Sequence, residues 1–132
     1  MSQENVEIVR RSNELYLQGD LDAMVDEFIH PDIEWETRWP GLPPVFHGRE
    51  GVRKWIALAT EPMEIEMKLV EARAVDEETV LAEFRLRGRG RESGVPADMK
   101  VFDLYSIRNR MIYRRRTFYS RTEALEAVGL RD

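Results

Sequence analysis

Two consecutive stretches of strict alternation limit what this chain can become. In the first, Met63, Ile65, Met67 and Leu69 alternate with Glu64, Glu66 and Lys68; in the second, Val80, Ala82, Phe84 and Leu86 alternate with Glu83, Arg85, Arg87 and Arg89. Successive side chains of a strand point to opposite faces, so each stretch predicts a long strand with one apolar and one charged face. Asp76-Glu77-Glu78 supplies the turn between them. A further pair of strands follows in Val101–Tyr119, with Arg108-Asn109-Arg110 as a polar turn. Short connections between consecutive strands make the pairing antiparallel.

Upstream the period lengthens. Val6, Val9, Asn13 and Tyr16 share one stripe of a helix over Gln3–Gln18, which Ile8 and Leu15 widen and Gly19 ends. Asp20 is placed to accept hydrogen bonds from the free amides of a second helix carrying Leu21, Met24, Val25 and Phe28, which His30-Pro31 stops. Asp32–Glu36 alternates as a short strand. The loop Arg38–Pro44 carries Trp39 among prolines, and a third helix runs over about Arg49–Ala59 with Val52, Trp55, Ile56 and Ala59 on its buried side. At the other end, Ser120-Arg121-Thr122-Glu123 is a capping box opening a last helix, and Gly129 a left-handed stop. Helices grouped before strands predict an α+β fold, and 132 residues predict one domain over 1–132.

Composition enters mainly by exclusion. With no cysteine and two histidines, His30 and His47, the chain offers neither a thiolate nor a histidine-rich metal site, and no cofactor is expected. His47 precedes Gly48-Arg49-Glu50 and reads as a turn residue more readily than as a proton shuttle. No apolar run resembles a signal peptide or a membrane span, which predicts a cytoplasmic protein without a membrane partner. The net charge of −5 is unevenly spread: residues 1–79 carry 8 basic and 18 acidic side chains, residues 80–132 carry 12 and 7. Arg85, Arg87, Arg89, Arg114 and Arg116 fall on the outer face of the expected sheet, where Glu64 and Glu66 are available as partners. This predicts solvated or interface charge and no nucleic-acid surface.

The stretches GDLDAMVDEF (Gly19–Phe28), HPDIEW (His30–Trp35), HGREGV (His47–Val52) and ALEAVGL (Ala124–Leu130), in this order and with the closing hairpin, resemble the nuclear transport factor 2-like superfamily. The resemblance is strongest to its SnoaL-like polyketide cyclase and ketosteroid isomerase-like members and covers nearly the whole chain. It implies a cone in which a strongly curved antiparallel sheet wraps around helices and encloses a pocket, and a homodimer formed through the outer sheet face. In the isomerases the position matching Asp103 donates to an enolate oxygen, the first-helix tyrosine position falls at Ser12, and the general base falls at Glu36 or Thr37. The carboxylate that many SnoaL-like proteins carry after the last strand falls at Ser120.

Residues and resemblance together define the candidate site. A three-residue hairpin loop pairs Asp103 with Arg115 and turns Asp103, Tyr105, Tyr113, Arg115, Thr117 and Tyr119 inward; a two-residue loop pairs Asp103 with Arg116. In either register the aspartate gains a cation, which suits a general base or the anchor of an arginine that binds an anionic ligand. The expected catalytic residues are Asp103, Arg115 and Tyr119. Trp35, Trp39, Trp55, Phe84, Met99, Tyr105, Tyr113 and Thr117 are expected to contact a small hydrophobic or anionic molecule. Phe102, Leu104, Ile112 and Phe118 are expected on the outer face as an interface patch. Three functions remain open: a cofactor-free acid–base enzyme, a non-catalytic ligand-binding protein, and a dimeric interaction module.

Overall fold

The computed structural model describes residues 2–130; Met1, Arg131 and Asp132, at the ends of the expected domain, lie outside the described residues. In chain order the elements are α1 (Ser2–Leu17), α2 (Leu21–Phe28), β1 (Ile29–Glu36), β2 (Val45–His47), α3 (Gly48–Thr60), β3 (Met63–Ala74), β4 (Thr79–Gly90), β5 (Pro96–Arg108), β6 (Met111–Phe118) and α4 (Arg121–Ala127). Six strands form one curved, unclosed sheet in the order β2-β1-β6-β5-β4-β3. The fold is α+β, as the grouping of helices and strands predicts.

Punctuation in the sequence sets several boundaries. Gly19 adopts φ +80 after α1, and the Asp20 side chain accepts a hydrogen bond from the Ala23 amide at 3.2 Å to open α2. Ser120 accepts from the Glu123 amide at 3.3 Å to open α4, and Gly129 adopts φ +77 beyond it. β1 begins before the expected strand and runs through His30-Pro31. Its register against β6 shifts between Ile29 and Glu34, the stretch in which Pro31 lacks an amide to donate. β2, at three residues, is too short to show alternation.

Most of the sheet is antiparallel, but β1 and β6 run parallel, with Trp35 opposite Arg115. A parallel neighbour needs a long crossover, and here nearly the whole sequence from α3 to β5 separates the two strands. The antiparallel expectation therefore holds for β3 to β6 and fails at this one seam.

The hairpin register is neither of those anticipated. Asn109 and Arg110 form a two-residue turn with φ 50 and 65, the left-handed pair of a type I′ turn. Ile107 faces Ile112, the register then slips, and Ser106 faces Arg114, which leaves Tyr113 as the extra residue of a bulge. Asp103 consequently lies opposite Thr117, and Tyr105 opposite Arg115. The two-residue turn sets Ile112 opposite Ile107 in the main core rather than on the outer face, and the bulge then returns Arg115 to the inner face.

The main core fills the concave side of the sheet beneath α1, α2 and α3. A second core lies behind it, where Leu81, Phe102, Leu104 and Phe118 pack against Ala124 and Leu125 of α4. The outer apolar patch expected to be an interface is thus covered by the chain's own last helix. Burying such side chains stabilises by roughly 1.5–3 kcal/mol each, which explains why a short helix docks there.

Candidate functional site

Between the helices and the concave face lies a cavity of about 120 Å³. Its wall is mostly apolar, with Phe84 and Ile112 from the sheet and Met24 and Ile56 from the helices. Into that wall the fold sets Asp103 and Arg115, each only 4% exposed. Removing charged groups from water costs several kcal/mol per ion unless their partners are well placed.

Here the partners converge. The Thr117 hydroxyl donates to Asp103 Oδ1 at 2.7 Å, and Oδ2 accepts from the Tyr105 hydroxyl at 3.3 Å and from Arg115 Nη1 at 3.4 Å. Arg115 Nη2 donates to the Glu36 carbonyl at 3.0 Å. The Arg115 guanidinium also lies over two indole rings, 4.0 Å from the Trp35 centroid and 4.6 Å from that of Trp55. The two rings are themselves 5.5 Å apart. Two ring faces and a carboxylate together compensate the buried cation, since each ring quadrupole attracts positive charge. Tyr105 holds its proton well beyond the ordinary phenolic range, first because it is buried and second because the Asp103 charge opposes a second anion.

Several polar atoms of the cavity-lining residues have no protein partner: Arg115 Nε, the indole Nε1 of Trp35 and of Trp55, and Asn13 Oδ1. Three of these are donors clustered around one guanidinium. The arrangement can stabilise a carbonyl, enolate or carboxylate oxygen, while the neighbouring carboxylate can take or hold a proton.

The expected site residues separate into groups. Trp35, Trp39, Trp55, Phe84, Asp103, Tyr105 and Arg115 line the cavity. Thr117 stands behind Asp103 as its donor and is not in the wall. Met99 and Tyr119 line an outer cleft with Trp39 and Pro40, and the Tyr119 hydroxyl donates to the Arg38 carbonyl at 3.0 Å. Tyr113 was expected inward, but as the bulge residue it lies outside the cavity, its ring 4.5 Å from the Arg108 guanidinium. Glu36 faces Arg114 across an ion pair of 3.0 Å; Thr37 is buried with Ile33 and Trp35, as alternation requires, and its hydroxyl accepts from the Trp39 amide. His47 is exposed at the end of β2.

Sequence reasoning had Asn13 and Tyr16 on the buried stripe of α1 without assigning them a role. Both line the cavity, with Ser12 beside them, its hydroxyl bonded to the Val9 carbonyl at 2.9 Å. The usable signal was polar side chains, Asn13 and Tyr16, continuing the stripe that Val6 and Val9 begin. Burial pushes the Tyr16 phenol above its ordinary range.

Of the outer arginines, Arg85, Arg87 and Arg114 are held in ion pairs, though with other partners than expected. Arg85 grips Asp98 at 3.1 and 3.0 Å, Arg87 reaches the same carboxylate at 3.6 Å, and Glu64 pairs with Arg91. Among the described residues no cluster of histidine and carboxylate side chains is arranged to hold a metal ion, and no helix is long and apolar enough to cross a membrane.

A family model described as the SnoaL-like domain matches residues 9–115. Solved structures share the fold at low identity. An NTF2-like protein of unknown function from Burkholderia pseudomallei K96243 is 20% identical, with a TM-score of 0.78 over 98% of this chain and 99% of that one. An NTF2-like protein from Burkholderia xenovorans LB400 is 23% identical, with a TM-score of 0.77 over 89% and 90%. TerC, co-crystallized with polyporic acid, is 16% identical, with a TM-score of 0.76 over 93% and 96%. No curated protein matches the sequence significantly.

Proposed function

The chain belongs to the SnoaL-like domain family, and on that premise we propose that it takes a small hydrophobic molecule bearing a carbonyl, enol or carboxylate oxygen and performs cofactor-free acid–base chemistry on it. The observation that carries this reading is the buried Asp103–Arg115 pair set in the wall of an otherwise apolar cavity. Arg115, with the Trp35 and Trp55 indole N–H groups beside it, receives the ligand oxygen. Asp103 accepts the proton released as charge develops there. Its Oδ2 is suited to this, because the two donors on it stand at 3.3 and 3.4 Å and are displaced more easily than the 2.7 Å donor on Oδ1. TerC, which was crystallized with polyporic acid, supports a small-molecule ligand for this scaffold.

Size narrows the ligand. A cavity of about 120 Å³ is comparable with the ~150 Å³ space that holds benzene in another protein. One ring is enclosed, and anything larger extends past Trp39, which lines both the cavity and the outer cleft.

A test uses cyclic 1,3-diketones as probes, with loss of the acidic carbon-bound proton followed by deuterium exchange in NMR. Wild type should accelerate exchange, and Asp103→Asn should reduce the acceleration by about 10²-fold or more, the scale of a lost general base. An unchanged rate sinks the catalytic role. A second reading, a binding protein in which Asp103 only orients Arg115, is favoured by the three donors already on that carboxylate. It expects probe binding without acceleration of exchange over the uncatalysed rate.

A further inference from the structure

The donors around Arg115 occupy one side of the cavity. Trp35 and Arg115 sit on β1 and β6, whereas α1 packs over β3 and β4, two strands further along the sheet beyond β5. From α1 two polar side chains enter the same cavity wall. Asn13 brings a buried Oδ1 with no protein partner, and Tyr16 a phenol that burial keeps protonated. Ser12 on the same turn is different, since its hydroxyl is already committed to the Val9 carbonyl. A buried polar atom without a partner costs about 1–3 kcal/mol. A helix facing an apolar core would be more stable with leucine at position 13. The cost is recovered when a ligand brings the missing group.

We propose that Asn13 and Tyr16 form a second polar pole that selects among ligands. The ligand class is then a flat, mainly apolar ring with an anionic or carbonyl oxygen at the Arg115 end and a hydroxyl or second carbonyl at the α1 end. Asn13 supplies an acceptor for a hydroxyl, and the Tyr16 hydroxyl supplies a donor for an oxygen. Plain hydrocarbon rings, which the rest of the wall would accept, leave Asn13 unsatisfied and bind less tightly. This rests on the pocket reading above and adds the far end of the ligand to it.

Benzoate, 3-hydroxybenzoate and 4-hydroxybenzoate are suitable probes, titrated against the intrinsic fluorescence that Trp35 and Trp55 contribute from the cavity. At least one hydroxybenzoate should bind wild type about tenfold more tightly than benzoate, the effect of one well-made buried hydrogen bond. Asn13→Leu or Tyr16→Phe should bring that preference within about twofold. Asn13→Leu should also melt no lower than wild type, which separates a lost contact from a damaged fold. Equal binding of all three probes by wild type, or a preference that survives both substitutions, overturns the proposal. The Asp103→Leu/Arg115→Met double variant tests the other pole. If benzoate binding ignores that change while the hydroxyl preference persists, the Arg115 reading fails and the α1 pole stands. If wild type binds none of the three probes, both fail.

Discussion

Along β5 and β6, alternate residues meet opposite surroundings, and the usual inside–outside rule is reversed between them. The face toward the centre of the molecule carries Asp103, Tyr105, Arg115 and Thr117, hydrogen-bonded to one another beside the cavity. The face toward the outside carries Phe102, Leu104 and Phe118, sealed by Ala124 and Leu125 of α4. Both faces are buried: on the inner one Val101, Ile107 and Ile112 of the main core flank the polar groups, and the outer one packs against α4. The outer face holds the hairpin in place, and the inner face uses that rigidity to keep a charged group where water is scarce. A charge pair is weak evidence for stability and better evidence for a role, because apolar residues of similar volume would serve the fold as well.

The largest expected effect tests that contrast on the inner face. Asp103→Leu alone leaves Arg115 buried without its carboxylate and should cost about 3–5 kcal/mol, measured by urea unfolding. Adding Arg115→Met should recover most of that loss while abolishing ligand binding; a double variant as unstable as the single one would mean that the pair is structural. On the outer face Leu125→Ala should cost about 3 kcal/mol, as a buried leucine does when a cavity remains. It should leave benzoate affinity within about twofold, and a large change in affinity would show that the two faces are not separable.

The smallest effect is a matter of pH. Tyr105 keeps its proton above the ordinary value of 10.0 because burial and the Asp103 charge disfavour the phenolate. Above that pH the unfolded chain loses the proton before the folded one does. The stability this group contributes is therefore complete below about pH 10 and declines as pH rises toward the folded value. Tyr105→Phe should lower stability by about 1 kcal/mol at neutral pH through the lost bond to Asp103. It should also flatten the alkaline decline, which Tyr16 and Tyr119, shifted in the same direction by burial, would continue to produce in part. An alkaline melting profile identical to wild type would remove Tyr105 from the buried network.

Local chemistry made much of this legible in the sequence. Strict alternation gives β3 and β4, because period two admits one apolar face only in a strand. Asp20, Ser120 and the left-handed glycines mark helix ends, since each acts on amides or torsions within a few residues. Parity along each strand groups Asp103 with Tyr105 and Arg115 with Thr117. Tertiary structure decided the rest. The bulge at Tyr113 sets Asp103 opposite Thr117, and no local signal distinguishes that residue from its neighbours. The parallel seam brings Trp35 beside Arg115 from 80 positions away, and α3 adds Trp55. The chain alone therefore determined the long strands, the helix ends and the shared face of Asp103 and Tyr105. Only the long-range packing of β1, β6 and α3 decided that an arginine would lie against two indoles, because contacts between residues distant in sequence leave no periodicity to read.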